Sequence, residues 1–104
     1  MKIEYPVAFK KVLRNMGPGF GSAAKNKQEF VQYALIDVDQ VDASSIRPFL
    51  DELLQTHNPK QLKEWWWLTP ASSYFFDGKE LVEFLLEMKT VLSAPPYVPT
   101  KTEL

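Results

Sequence analysis

Apolar residues recur along this chain at the three-and-four spacing of helices, and turn residues interrupt them at regular intervals. Phe9, Val12, Leu13 and Met16 form one stripe and predict a helix over about Pro6 to Met16. Gly17-Pro18-Gly19-Phe20-Gly21 cannot continue it, because proline lacks an amide donor and glycine loses much backbone entropy on ordering. A second element begins near Ser22 or at Asn26, which with Glu29 three residues on resembles a capping box. Phe30, Val31, Tyr33, Ala34, Leu35 and Ile36 suit a helix buried on two sides, yet Val31, Tyr33 and Leu35 also alternate as a strand would.

An acidic turn, Asp37-Val38-Asp39-Gln40-Val41-Asp42, then leads to Ser45, the expected cap of a helix carrying Ile46, Phe49, Leu50, Leu53 and Leu54. With that start Pro48 falls in the first turn, where amides have no intrahelical partner, and the helix ends near Thr56 or His57. Asn58 restarts the chain as an N-cap, with Pro59 at the first helical position and Gln61 as its capping-box partner. Leu62, Trp65 and Trp66 make the inner stripe of that short helix, and Thr69-Pro70 closes it. Residues 71–76 form an irregular crossing or a brief strand through Tyr74-Phe75-Phe76. Asp77 and Glu80 then cap a last helix with Leu81, Phe84, Leu85, Met88, Val91 and Leu92 on one stripe, running to about Ser93. Val82 and Leu86 lie off that stripe, the pattern of a central helix packed on more than one side. From Ala94 the prolines at 95, 96 and 99 dictate an extended tail. The expected architecture is all-α, a compact single domain over residues 1–104 built as a bundle of about five helices. The alternative is an α+β domain with a small sheet from residues 30–38 and 65–76.

A length of 104 residues supports one core, and 45% hydrophobic with 24% charged residues is ordinary for a folded globule. No cysteine is present, so disulfides and thiolate metal sites are not available. The start Met1-Lys2-Ile3-Glu4 is charged, and no apolar run reaches the length of a signal peptide or a membrane span, so a soluble cytoplasmic protein is expected. The net charge of −1 conceals an uneven distribution. Residues 1–28 carry Lys2, Lys10, Lys11, Arg14, Lys25 and Lys27 against Glu4, a net +5, and residues 29–55 carry a net −5. These stretches either pair with each other in the fold or leave an acidic face that attracts a basic partner. A direct nucleic-acid binder is disfavoured by a pI near 5.8.

Candidate chemistry is sparse. His57 is the single histidine, and no carboxylates stand at metal-binding spacing, so neither metal nor cofactor is expected. Ser72 and Ser73 lack a nucleophile-elbow context, and Gly17 to Gly21 lacks the ending of a phosphate-binding loop. The sequence therefore points away from an enzyme and towards a binding protein. Trp65, Trp66 and Trp67 carry most of that expectation, because residues about 100° apart on a helix cannot all enter one core face. Trp67 points away from the inner stripe and becomes a candidate interface anchor, with Tyr74 or Tyr33 beside it and Asp37, Asp39 and Asp42 as an acidic rim.

The aspartate-rich turn Asp37 to Asp42, the run Glu64-Trp65-Trp66-Trp67 and the small cysteine-free length together resemble, over the whole chain, bacterial immunity proteins of contact-dependent growth inhibition and related polymorphic toxin systems. The resemblance implies a cytoplasmic, non-enzymatic inhibitor whose partner is the toxin domain of its own system. Such toxin domains are often nucleases with a basic cleft, which acidic side chains of the immunity protein cover. A small intracellular adaptor or regulatory interaction module is the alternative expectation.

Overall fold

Helices that start after Asn26, Asp39 and Asn58 do so because those side chains satisfy the first free amides, whereas the first helix begins after Pro6 without a side-chain cap. The computed structural model describes residues 3–16, 26–69 and 78–93, with only the backbone of Lys27. They contain five helices, α1 (Val7–Asn15), α2 (Lys27–Ala34), α3 (Gln40–Thr56), α4 (Pro59–Trp67) and α5 (Gly78–Ser93). Asn26 caps α2 by accepting from the Glu29 amide at 2.9 Å. Asn58 and Gln61 form a reciprocal box at the start of α4, with Pro59 where a donor is not needed. Residues 30–34 and 65–67 are helical, so the two segments proposed for a small sheet belong to α2 and α4 over these positions. The fold is an all-α bundle.

The third helix starts earlier than its sequence predicts. Asp39, not Ser45, is the N-cap: its carboxylate accepts from the Asp42 amide at 2.8 Å, and the Asp42 carboxylate accepts from the Asp39 amide at 3.3 Å. The acidic turn is thus largely a capping box followed by the first turn of α3, which also brings Ala43 into the core. The consequence for Pro48 is a second correction. It sits inside α3 rather than in its first turn, and its ring removes the amide that would bond the Ser44 carbonyl.

The apolar stripes meet in a single core. α1 contributes Phe9, Val12 and Leu13, with Met16 just beyond its end, and packs on α2 and α3; α5 packs on α2, α3 and α4. The off-stripe pattern correctly marked α5 as central, although of its two carriers Val82 packs against the core and Leu86 is exposed. An unbroken succession of aromatic contacts crosses the bundle: Tyr5 and Phe49 meet both Phe9 and Trp65, Trp65 meets Trp66 edge-on, and Trp66 leads through Phe84 to Phe30. Its centroid separations of 5.1 to 6.4 Å lie in the favourable range for offset and edge-to-face pairs. Gly78 permits the close approach of α5 to α4, since a Cβ there would run into the carbonyl carbon and oxygen of Pro59. The Asp77 cap, the Gly17 to Gly21 connector, Ser72, Ser73, the possible strand through Tyr74 and the tail from residue 94 lie outside the described residues.

Candidate protein-binding surfaces

Three aspartates singled out by the sequence are gathered around one face of α1. Leu35 ends α2, and Asp37 reverses the chain with φ 65°, a left-handed conformation that aspartate tolerates better than most residues. Asn15 supports this reversal from α1: its Nδ2 donates to the carbonyl oxygens of Ala34 at 3.0 Å and Ile36 at 2.8 Å. The last carbonyl of α2 and one in the reversal that follows it are satisfied in this way. Lys11, one turn earlier on α1, donates to the Asp37 carbonyl at 3.4 Å and to the Asp42 carboxylate at 2.6 Å. The 31 residues that separate Lys11 from Asp42 in sequence hid this contact.

Chemistry divides the three aspartates into different roles. The Asp42 side chain is only 16% exposed, and its hydrogen bond from Lys11 holds its carboxyl below the usual range, aided by the Asp39 amide. The same hydrogen bond raises the Lys11 ammonium above its ordinary value. Asp42 is therefore committed to the fold, and Asp39 is partly committed through its cap. Asp37 and Asp39 remain exposed to solvent and keep negative charge at the α2–α3 connection. The expectation that basic and acidic stretches pair with each other is met at Lys11 and Asp42. A second cross-helix pair joins Asp51 of α3 to Lys89 of α5.

Trp67 occupies a separate part of the bundle. The cap at Asn58 fixes the phase of α4, so that Leu62, Trp65 and Trp66 enter the core and Trp67 emerges. Trp67 is 73% exposed and its neighbour Leu68 76%, whereas Trp65 and Trp66 are buried. The Leu68 amide donates to the Trp65 carbonyl, and the Thr69 hydroxyl donates to the Trp66 carbonyl at 2.7 Å, closing the helix behind the pair. Leu68 was missed in the sequence; the signal for it was its place beside Trp67, one residue past the last inward position. Tyr33 is partly exposed on α2, and Tyr74 lies outside the described residues.

Two concavities lie among the described residues. A small one of about 210 Å3 is lined by Ile3, Glu4, Phe49, Glu52, Leu53 and His57, among others. The His57 Nδ1 is 2.8 Å from the Thr56 hydroxyl and 3.3 Å from the Leu53 carbonyl, contacts that tie it to the end of α3. A larger groove lies between α1 and α3 and includes Lys10, Lys11, Arg14 and Asp42. Its sequence signal is the Val7, Lys10, Lys11, Arg14 spacing, the outward stripe of α1, which an eye set on apolar periodicity passes over. Among the described residues no group of histidine and acidic side chains is placed to hold a metal ion, and no helix is long and apolar enough to cross a membrane.

No protein-family model matches the chain, and neither the curated proteins nor the solved structures yield a match.

Proposed function

We propose that this protein is a non-enzymatic binding protein of the immunity type, which neutralises a toxin domain by covering its active site or substrate surface. The observation that carries the proposal is the Trp67–Leu68 pair, two large apolar side chains side by side and mostly open to solvent at the end of α4. Aromatic anchors of this kind supply much of the energy of protein interfaces. Asp37 and Asp39 supply exposed negative charge that favours a basic partner, a nuclease cleft above all, and steers its approach. Asp42 contributes less than its sequence position implies, because Lys11 already neutralises it.

The test is a toxin domain encoded next to this chain. Coexpression should protect cells from that domain, and the purified pair should form a complex. Trp67→Ala should weaken the complex by about 2 kcal/mol or more, and Asp37→Asn with Asp39→Asn should slow association and flatten its salt dependence. A complex of unchanged affinity in Trp67→Ala removes the anchor role, and failure to protect against any toxin domain at its own locus removes the immunity assignment.

A further inference from the structure

The groove between α1 and α3 has a chemistry opposite to that of the acidic connection beside it. It encloses about 630 Å3, with Val7, Lys10, Lys11 and Arg14 on the α1 side and Asp42 and Ser45 on the α3 side. Lys11 is neutralised by Asp42. Lys10 and Arg14 are exposed and have no ion pair among the described residues, so the groove keeps two positive charges one helical turn apart. Apolar surface accompanies them. Val7 is 78% exposed at one end of the stripe, Tyr5 and Pro6 extend the lining, and Val41, 74% exposed, stands one turn before Ser45 on α3.

We propose that this groove docks an acidic amphipathic helix of a partner protein. Two carboxylates one turn apart on that helix match the spacing of Lys10 and Arg14, and an apolar side chain one turn beyond the pair covers Pro6 and Val7. The site is separate from Trp67 and Leu68, so it does not depend on the toxin-binding proposal. A nucleic acid is a poorer occupant. Asp42 forms part of the groove and Asp37 and Asp39 flank it in the chain, so a continuous phosphate backbone would meet acidic groups that a discrete pair of carboxylates avoids.

The probe is a fluorescent helical peptide of about 15 residues, long enough to hold some helix in water, with Glu at positions i and i+4 and Leu one turn beyond them at i+8. Anisotropy titration should show saturable binding that weakens as salt rises. The Lys10→Glu, Arg14→Glu double variant should bind at least tenfold more weakly, and Lys10→Gln with Arg14→Gln should do so to a smaller extent. A peptide with both Glu replaced by Gln should lose as much, while Trp67→Ala should bind like the parent protein. Absence of saturable binding, equal binding by the parent and both double variants, or more effective binding of a single-stranded oligonucleotide than of the peptide would overturn the proposal. Far-ultraviolet circular dichroism of each variant should be unchanged, since both substituted side chains are exposed.

Discussion

Adjacent tryptophans with opposite environments make the residue scale the clearest place to test this fold. Trp65 is 4% exposed and touches Tyr5, Phe9, Phe49 and Trp66, so Trp65→Ala should cost about 3 to 5 kcal/mol of stability by emptying a central site. Trp67→Ala should change stability by only about 0.5 kcal/mol, the usual range for a surface position. Thermal or urea unfolding of the two variants decides the matter: equal loss would place Trp67 in the core. Asn15 is a less obvious residue of similar interest. Asn15→Ala should cost about 1 to 3 kcal/mol, because the Ala34 and Ile36 carbonyls lose their shared donor in a partly buried place. The sequence marked the tryptophans plainly, since helical phase alone separates them. It was silent on Asn15, whose function is defined by carbonyls some twenty residues away.

At the scale of the element, α3 shows how two valid local signals compete. Asp39 with Asp42 and Ser45 with the following apolar stripe each describe a legitimate helix start. The earlier one prevails because both aspartates bond reciprocally and Lys11 stabilises the carboxylate of Asp42 from outside the helix. Asp39→Ala should therefore cost about 1 kcal/mol, whereas Ser45→Ala should stay within about 0.5 kcal/mol. The reverse order in denaturant midpoints would restore Ser45 as the cap. Pro48 follows from the same fact. Being exposed in the interior of α3, it adds no core packing, and Pro48→Ala should stabilise the protein by roughly 2 kcal/mol as the helix regains an amide. Gly78→Ala should do the opposite despite the better helix propensity of alanine, because its Cβ meets the Pro59 backbone, which cannot move as a flexible side chain would.

At the scale of the bundle, the Lys11–Asp42 ion pair ties α1 to the start of α3, and the Lys89–Asp51 pair ties α5 to α3. Asp42 and Asp51 both titrate below the ordinary carboxylate value, principally through hydrogen bonds from Lys11 and Lys89. A lowered folded value means that their contribution is present above about pH 3.9 and is lost as pH falls through the lowered values. Stability measured by urea unfolding should therefore decline on the acid side, and Asp42→Asn with Asp51→Asn should flatten that decline. An unchanged acid limb in the double variant would assign it to other carboxylates. Both pairs reach solvent, so added salt should weaken the effect.

By itself the sequence determined the helical character, the stripes that face inward, the reciprocal box at Asn58 and the outward direction of Trp67, because each depends on spacing within a turn or two. Only the tertiary structure decided that Asp42 would be spent on Lys11, that Asn15 would finish α2, and that Lys10 and Arg14 would face an open groove. These are contacts between segments far apart in the chain or consequences of what lies across a groove. Local periodicity fixes which way a side chain points; packing of the helices fixes what it meets there.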